Sequence, residues 1–447
     1  MIRGEWKLPS MSLNFAGGVE KKSVAFHTQG CKLNFAESSS LGASLELEGF
    51  RRVNFSEPAD VYVINSCSVT ESADKKCRKA IRSALRRSPE AFVAVTGCYA
   101  QLQPDEIASI PGVDLVIGAG EKFNLSAYLD DLSKREKGEV HSCGIDSIDR
   151  FFPAFSTSER TRTFLKVQDG CDYTCSYCTI PMARGKSRSA TIEKTVKNAR
   201  KLIDTGAKEI VLSGVNIGDF GVQHNESFLE LLRALDTVGA ERIRISSIEP
   251  NLLTNEIIDF IAQSGSFVPH LHLPLQSGAD PVLKRMRRRY STSNYLSRVE
   301  QVKKTIPDCC IGVDVIVGFP GETNGEFQET FDLLMMADIS YLHVFSYSER
   351  PGTNARLLGR EISPKMKSER SRKLHLLSAQ KRRSFDQSSI GEVRPILVEY
   401  GETQTAEGFT DNYIRVSVNG PEELVGTIQN VQLTSMEDSL VRGILSD

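Results

Sequence analysis

Three cysteines lie close together in the stretch DGCDYTCSYCTIP, which spans residues 169–181. Cys171, Cys175 and Cys178 have the spacing C-x3-C-x2-C. A structural zinc site needs four ligands, commonly from two C-x2-C pairs, and no fourth Cys or His lies near in the sequence. His224 and His270 could complete a zinc site after folding. Three thiolates fit a [4Fe–4S] cluster better, because one iron then stays open for another ligand.

Three further cysteines, Cys31, Cys67 and Cys98, each stand at the end of a short apolar segment. Taken singly, they are most simply interpreted as small buried residues. Parallel strands, however, bring their carboxyl ends to one edge of a sheet, which is where ligands bind. Three thiolates at such an edge can hold a second iron–sulfur cluster. The other cysteines share no such pattern and are predicted to be structural: Cys77, Cys143, Cys309 and Cys310.

The elements around this second trio predict an open parallel α/β domain over residues 23–150. Apolar segments such as ADVYVINSC and AFVAVTGC alternate with helical stretches such as 71–87. Continuous apolar runs of this length are typical of parallel strands that are covered on both faces. Residues 1–22 precede the domain and are predicted to be a poorly ordered extension.

Residues 151–385 alternate predicted strands with predicted helices. The strands are TFLKVQ, EIVLSG, RIRISS, HLHLPL, IGVDVIVGF and YLHVFSY. Helices are predicted near 191–205, 226–238, 254–263, 292–305 and 323–337, and several are opened by Thr or Asp. This pattern predicts a full or partial (β/α)6 barrel, with its active site at the carboxyl ends of the strands. A long basic helix leads to residues 386–447, whose short strands predict a small β-barrel.

Composition and charge narrow the class of protein. The chain has 447 residues, is 40% hydrophobic and carries a formal net charge of −2. It lacks the roughly 20-residue apolar run of a membrane span and a signal-peptide core, so we expect a soluble, cytoplasmic protein. Basic runs at 75–87, 284–289 and 360–383 favour an anionic partner. Residues 391–447 differ, with ten acidic residues against three arginines.

The motifs together resemble a known family. The spacing C-x3-C-x2-C on a β/α barrel is the signature of radical S-adenosylmethionine (radical SAM) enzymes. GCKLN at 30–34, NSCSVT at 65–70 and TGCYAQ at 96–101, followed by DGCDYTCSYCTIPMARGKSRS, resemble the methylthiotransferase family within that superfamily. The first and last of these motifs look most like the threonylcarbamoyladenosine tRNA branch. The C-terminal barrel resembles the TRAM domain of those enzymes.

The resemblance implies two [4Fe–4S] clusters, one on Cys31, Cys67 and Cys98 and one on Cys171, Cys175 and Cys178. The second of these would bind S-adenosylmethionine (SAM) at its open iron and generate a 5′-deoxyadenosyl radical. The first would supply sulfur, which one SAM methylates, while another SAM provides the radical that takes hydrogen from carbon 2 of an adenine. The cofactor must carry this step, because no acid–base pair removes such a hydrogen at neutral pH. The implied partners are the anticodon loop of tRNA and an electron donor such as flavodoxin or ferredoxin, with the chain a monomer.

Further residues at the predicted strand ends are candidate contacts. Those for SAM are Ser213, Gly214, Ser246, Glu249, Gln276 and Asp314. Arg184, Lys186 and Arg188 follow the cysteine loop and are candidate RNA contacts. In the acidic C-terminal barrel, Phe409, Tyr413 and Arg415 could offer a stacking face to RNA.

Two alternatives stay open at this point. The acidic C-terminal barrel favours a basic protein as substrate, as in the branch of the family that methylthiolates an aspartate of a ribosomal protein. A different class is a non-catalytic metal-bearing protein that binds RNA or senses redox state, in which all the cysteines are structural. Reaction with SAM separates the enzyme from the latter.

Overall fold

The computed structural model describes residues 21–156, 161–402 and 404–446. The predicted extension therefore lies almost entirely outside the described residues. The first domain is a six-stranded sheet in the order β2–β1–β3–β4–β5–β6, and all its neighbouring strands are parallel. The strands are β1 (Ser23–Thr28), β2 (Arg51–Val53), β3 (Val61–Ser66), β4 (Phe92–Gly97), β5 (Leu115–Ile117) and β6 (Glu139–His141).

Helices cover both faces of this sheet, as the apolar runs predicted. They are α1 (Lys32–Leu47), α2 (Glu71–Arg87), α3 (Cys98–Leu102) and α4 (Pro104–Ala108). Every residue of β3 and β4 is buried, because helix side chains pack on both faces of these central strands. Short β2 and β6 extend the two edges of the sheet and were not predicted, since three residues carry too little periodicity.

The central domain contains the six predicted strands of the incomplete barrel and a short hairpin. Its strands are β7 (Arg162–Lys166), β8 (Gln168–Asp169), β9 (Arg188–Ser189), β10 (Glu209–Ser213), β11 (Arg242–Ile245), β12 (His270–His272), β13 (Cys310–Val317) and β14 (Tyr341–Ser346). The sheets β11–β10–β7 and β12–β13–β14 are both parallel. A parallel bridge between Ser247 and His272 joins them, and β7 and β14 do not pair, so the barrel stays open between these two strands.

The helices of this domain lie outside the strands. They are α5 (Ile180–Arg184), α6 (Ile192–Asp204), α7 (Phe228–Asp236), α8 (Asn255–Gln263), α9 (Asp280–Arg285), α10 (Thr292–Thr305), α11 (Asn324–Met336) and α12 (Pro364–Ser388). Their starts confirm the capping prediction, since Thr191, Thr254 and Thr323 each accept a hydrogen bond from the third residue of a helix. No helix in the described part of the chain is long and apolar enough to cross a membrane.

The C-terminal domain is a closed five-stranded barrel, as predicted. Its strands are β15 (Val393–Glu402), β16 (Thr405–Thr410), β17 (Arg415–Asn419), β18 (Ile428–Glu437) and β19 (Leu440–Leu445), in the order β15–β16–β17–β19–β18. The domain limits chosen from the sequence, near 150/151 and 385/386, stay predictions.

The C-terminal barrel lies against the amino ends of the central strands. Arg242, the first residue of β11, donates hydrogen bonds to the carbonyls of Pro395 and Phe409. The Arg162 guanidinium stacks 4.9 Å from the ring centre of Phe409 and 5.4 Å from that of Tyr413. Both rings predicted to stack on RNA are therefore engaged against the central domain, and only Arg415 of that group is exposed.

Candidate functional site

The Cys171 trio occupies a loop that leaves the carboxyl end of the first central strand. Each sulfur accepts a hydrogen bond: Cys171 from the Tyr173 amide at 3.4 Å, Cys178 from the Ile180 amide at 3.4 Å, and Cys175 from Arg288 at 3.2 Å. Donors of this kind stabilise a negatively charged thiolate. Burial raises the pKa of Cys171 and Cys178 to about 12, so these thiols stay protonated at neutral pH unless a bound metal holds them as thiolates.

The Cys31 trio is assembled by strand register. Thr28 of β1 pairs with Asn65 of β3, and Ser66 of β3 pairs with Gly97 of β4, so the residues after these strands meet at one edge. Burial and the neighbouring Cys98 and Cys31 thiols raise the pKa of Cys67 to about 12. The thiols therefore lie within electrostatic reach of one another, as the strand-end pattern predicts.

Gly30 permits this close approach. Its φ is +92°, and a Cβ at this position would lie 2.9 Å from the Cys67 sulfur. A side chain would therefore suffer both backbone strain and a clash with the thiol. The glycine that precedes Cys31 in the motif GCKLN is therefore required for steric reasons.

The spacing of the thiols separates a cluster from a single zinc ion. Tetrahedral Zn–S bonds of about 2.3 Å place sulfurs about 3.8 Å apart. Among the described residues, one group of three possible metal ligands has all its ligand atoms within 4.8 Å of one another. It consists of His272, Asp314 and His343 and contains no cysteine. In neither trio, therefore, do all three sulfurs lie within 4.8 Å of one another. A cluster that offers a different iron to each thiolate fits this arrangement better than a single zinc ion.

The two histidines considered as further zinc ligands are engaged elsewhere. His224 bonds the Ser189 carbonyl at 3.1 Å, and His270 bonds the Tyr341 hydroxyl at 3.0 Å. His270 also packs against Tyr413 of the C-terminal barrel, with ring centres 4.6 Å apart and the rings tilted by 38°. These contacts supply no fourth ligand to the Cys171 trio.

A buried network of charges connects the two trios. Glu37 of α1 forms ion pairs with Lys122, Lys166 and Arg184 at 2.7–3.1 Å. Arg184 also binds Asp169, at the start of the Cys171 loop, and the Asn34 side chain, three residues after Cys31. The surrounding cations hold the pKa of Glu37 well below its usual value, despite burial. This network fixes the first domain against the barrel at the level of both trios.

The network revises the prediction of RNA contacts. Arg184 is buried, and Arg188 is buried with its guanidinium bonded to Asp169 and to the carbonyls of Arg150, Arg184 and Lys186. Neither guanidinium is available to grip a phosphate. Lys186 is exposed and stays a predicted RNA contact.

A cavity of about 290 Å³ opens beside the Cys171 trio. All three of its cysteines line the cavity, and Val69 and Thr70, which follow Cys67, form a wall from the first domain. The cavity therefore lies between the Cys171 loop and the segment that follows Cys67 in the first domain.

The six predicted SAM contacts divide into two groups. Glu249, Gln276 and Asp314 line the cavity. Ser213, Gly214 and Ser246 do not: the Ser213 hydroxyl bonds the Val211 carbonyl at 3.2 Å, and Gly214 packs on Gln168 and Ile217. The Ser246 hydroxyl is buried and has no partner among the described residues. These three residues shape the turns below the cavity rather than its surface.

Two residues at the site were not selected from the sequence. Gln168 accepts hydrogen bonds from the amides of Val215 and Asn216, both at 2.9 Å, and donates one to the Gly170 carbonyl at 2.8 Å. It thus joins the loop after β10 to the Cys171 loop. The sequence feature that could have identified Gln168 is an uncharged polar residue at the end of a buried strand.

The second residue is Arg288, which the sequence places in the basic run 284–289. It donates to the Cys175 sulfur and forms an ion pair with Glu249. The pKa of the guanidinium is raised well above its usual value despite burial, because Tyr290, Tyr177 and Glu249 around it favour the charged form. Part of this run therefore serves the cysteine site.

Polar groups also face the inside of the barrel. Ser247 bonds His272 Nδ1 at 2.6 Å, and His272 Nε2 bonds Asp314 at 2.9 Å. Lys32 is accessible to water, yet burial and the charges of Arg244 and Arg162 lower the pKa of its amine to about 8.

An incomplete parallel barrel with a three-cysteine loop at its mouth defines a radical SAM enzyme. Residues 165–334 match the Radical SAM superfamily, and residues 23–118 match the uncharacterized protein family UPF0004. The fold is also similar to a cobalamin-bound radical SAM methyltransferase, TsrM, from Kitasatospora setae. That likeness has a TM-score of 0.53 at 15% identity and covers 75% of this chain and 77% of the other; it concerns the fold alone.

Relatives cover nearly the whole chain. It is 41% identical to "Threonylcarbamoyladenosine tRNA methylthiotransferase MtaB" of Bacillus subtilis (strain 168), over 92% of this chain and 93% of the relative. A protein of the same name from Aquifex aeolicus (strain VF5) is 39% identical, over 90% and 98%. "tRNA-2-methylthio-N(6)-dimethylallyladenosine synthase" of Syntrophotalea carbinolica is 35% identical, over 92% and 97%.

The chain therefore belongs to the radical SAM methylthiotransferase family. This confirms the resemblance found in its motifs, and with it an enzyme that uses SAM and iron–sulfur clusters. It also contradicts the non-catalytic alternative.

Proposed function

We propose that this chain attaches a methylthio group to carbon 2 of N6-threonylcarbamoyladenosine beside the anticodon of tRNA. The observation that carries the proposal is the 41% identity to a relative of that name along almost the full length of both chains. A cavity lined by the Cys171 trio and walled by the residues that follow Cys67 of the other trio supports the chemistry.

We assign the ligands from the geometry described above. Cys171, Cys175 and Cys178 would hold one [4Fe–4S] cluster, and Cys31, Cys67 and Cys98 the other. When bound, the clusters and SAM supply the sulfur, its methyl group and the radical that removes the hydrogen from the adenine ring. The chain itself orients these groups: Arg288 donates to Cys175, and the Glu37–Arg184 network holds the two loops in register.

The cavity would receive both SAM and the adenine. Glu249, Gln276 and Asp314 offer carboxylate and amide groups suited to the polar parts of SAM, while Tyr177 and Phe345 supply apolar surface. Walls from two domains would exclude water from the reactive centre. The adenine must leave its stack in the anticodon loop to enter, as base chemistry generally requires.

Exposed cations beside the cavity would guide the RNA backbone. The side chain of Thr70, in the cavity wall, caps the amino end of α2. From there, Lys76, Lys79, Arg82 and Arg86 lie exposed along the helix. Together with Lys186 they form a basic path suited to phosphates.

The acidic C-terminal barrel does not favour a protein substrate over tRNA. Arg162 of the central domain pairs with Glu399 of the barrel, and Arg242 and Arg244 donate hydrogen bonds to barrel carbonyls. These arginines lie outside residues 391–447, so they offset part of the negative charge of the barrel where the two domains meet. A flavodoxin or ferredoxin as electron donor, a monomeric state and a cytoplasmic location stay predictions.

Mass spectrometry of tRNA nucleosides tests the proposal. A strain that lacks this gene should lose 2-methylthio-N6-threonylcarbamoyladenosine and accumulate its precursor without the methylthio group. The wild-type gene should restore the mark, and so should the Cys143→Ala gene, since Cys143 belongs to neither trio. A Cys67→Ala gene should not restore it.

An unchanged nucleoside pattern in the deletion strain would contradict the proposal. Loss of the methylthio group from an adenosine with an apolar N6 substituent, instead of a threonylcarbamoyl one, would contradict the choice of substrate while leaving the reaction in place.

A further inference from the structure

Two histidines and an aspartate meet on three neighbouring strands of the barrel. His272 ends β12, Asp314 lies in β13 and His343 lies in β14. Each offers a ligand atom, and these three atoms all lie within 4.8 Å of one another. The closest measured pair is His272 Nε2 and Asp314 Oδ1, which are 2.9 Å apart. The group contains no cysteine, so it is distinct from both trios.

Strand register brings these side chains together. His343 lies opposite Asp314 in the parallel pairing of β13 with β14. His272 lies opposite Gly312, two residues before Asp314, in the pairing of β12 with β13. Alternate residues of a strand point to the same face of a sheet, so all three side chains share one face. A site on paired strands is held more precisely than a site on a loop.

The group is accessible from the cavity beside the Cys171 trio. Asp314 lines that cavity, and so does the neighbouring Ser247. The side chains of His272 and Asp314 retain 13% and 23% of their exposure, and His343 is exposed. A small ligand therefore does not need the strands to separate in order to reach the three side chains.

Ser247 orients the His272 ring. Its hydroxyl lies 2.6 Å from His272 Nδ1, and a parallel bridge joins the two residues. Metal-bound histidines almost always donate their second nitrogen to a nearby oxygen, which fixes the tautomer and the ring. When Nδ1 donates to Ser247, Nε2 presents a lone pair to the Asp314 carboxylate. Two acceptors at that distance need a proton or a metal ion between them.

The position of His343 favours a metal ion over a proton. A protonated His272 would satisfy Asp314 without any third group. His343 nevertheless lies edge-on to His272, with ring centres 5.5 Å apart. Its ring nitrogens form no hydrogen bond with any residue that the structure describes. A metal ion accounts for all three side chains, whereas a simple ion pair accounts for two.

We propose that His272, Asp314 and His343 bind one divalent transition-metal ion, such as Zn²⁺, Mn²⁺ or Fe²⁺, separate from the iron–sulfur clusters. Imidazole and carboxylate ligands suit these ions. Metal–ligand bonds of about 2.0–2.2 Å require only small rotations of side chains that are already this close. Two histidines and one carboxylate leave coordination positions open, for water or for an oxygen atom of a molecule in the cavity. The site goes beyond the proposed function and does not depend on it.

Binding of Mn²⁺ to the full chain tests the proposal. Both clusters are first reconstituted, and loosely bound metal is removed with a chelating resin. Oxidised [4Fe–4S] clusters give no electron paramagnetic resonance signal, so the Mn²⁺ signal reports binding directly. Wild-type protein should bind about one Mn²⁺ per chain, and spin-echo modulation by nitrogen should show histidine ligands. Zn²⁺, which such sites bind more tightly than Mn²⁺, should release it.

Four variants separate this site from other histidines. His343→Ala should raise the Kd for Mn²⁺ by about 100-fold or more, since loss of an outer partner alone costs 10- to 100-fold. Ser247→Ala removes such a partner and should raise the Kd by about 10- to 100-fold. His343→Asp keeps three ligands and should retain the ion with weaker nitrogen modulation. His375→Ala, at an exposed position of α12, should bind Mn²⁺ as wild type does. Iron content shows whether each variant keeps its clusters.

Several results would overturn the metal site. One is wild-type protein that binds no Mn²⁺ with nitrogen coupling. Another is an unchanged Kd in His343→Ala. Equal loss of binding in His375→Ala would place the ion on exposed histidines, which contradicts the proposal as well. Because the assay contains no RNA, each of these results leaves the proposed function standing, and nucleoside analysis of the deletion strain tests that function separately.

Discussion

The two cysteine trios face related tasks but are built in opposite ways. Cys171, Cys175 and Cys178 lie in one loop, and local backbone amides plus Arg288 donate to their sulfurs. Cys31, Cys67 and Cys98 come from three strands and meet only because β1, β3 and β4 pair in a fixed register. The first site depends on a short loop and the second on a whole sheet. Substitutions should therefore affect the two sites independently.

The largest expected effect is at Cys171, Cys175 and Cys178, which we call the loop trio. Cys175→Ala should reduce the iron content of the anaerobically reconstituted protein from about eight to about four atoms per chain. Formation of 5′-deoxyadenosine with dithionite and SAM should be abolished, because the cluster that binds SAM is lost. Iron analysis and chromatography measure both quantities. Retention of SAM cleavage in this variant would contradict the assignment of the loop.

Cys31, Cys67 and Cys98 form the sheet trio, and the corresponding substitution there is Cys67→Ala. It should also lose about four irons, yet it should still cleave SAM to 5′-deoxyadenosine, since the loop trio is intact. Methylthiolated RNA should be absent from its products. If this variant also stopped cleaving SAM, the two sites would not be separable and the comparison would fail.

The link between the trios is the next most sensitive feature. Glu37→Gln leaves Lys122, Lys166 and Arg184 without their shared carboxylate. Removing one partner of a buried ion pair usually costs about 3–5 kcal/mol, so we expect the free energy of unfolding to fall by about that amount. Denaturant unfolding measures it. The matched control is Glu193→Gln, at an exposed position of α6, with an expected change below about 0.5 kcal/mol.

A smaller effect is expected where Arg288 supports the loop trio. Arg288→Met removes the donor to Cys175 and leaves Glu249 without its ion-pair partner. Outer-shell groups of metal sites commonly change affinity or activity by 10- to 100-fold, so SAM cleavage should slow by about that factor. Methylthio transfer would fall with it, while the sheet trio should keep its irons. A normal rate of SAM cleavage would show that the loop does not need this donor.

The smallest effect is expected at cysteines outside both trios. Cys143→Ala should leave the iron content and SAM cleavage unchanged. The free energy of unfolding should change by no more than about 0.5 kcal/mol, which is usual for substitutions at partly exposed positions. Cys143 is also a cysteine but lies outside both trios, so its substitution is a direct control for both sites. Loss of iron from this variant would mean that a trio has been assigned incorrectly.

Sequence reasoning succeeded where the signal is local. The helices of the barrel were predicted within a few residues, because Thr191, Thr254 and Thr323 cap them and their apolar residues recur at helical spacing. It failed where a partner is distant in the chain. Arg184 was a candidate RNA contact, but it is buried against Glu37, which is 147 residues away in the chain. Phe409 and Tyr413 looked free for RNA for the same reason.

The sequence by itself determined the chemistry of this protein. The spacing of Cys171, Cys175 and Cys178 and the strand-end positions of the other trio are properties of the chain, and they point to two clusters. Only the tertiary structure decided which charges remain available. It pairs Arg184, Arg188 and Arg288 with buried groups and leaves Lys186 exposed. The physical reason is that a cation's role depends on its nearest anion, and folding alone determines which anion that is.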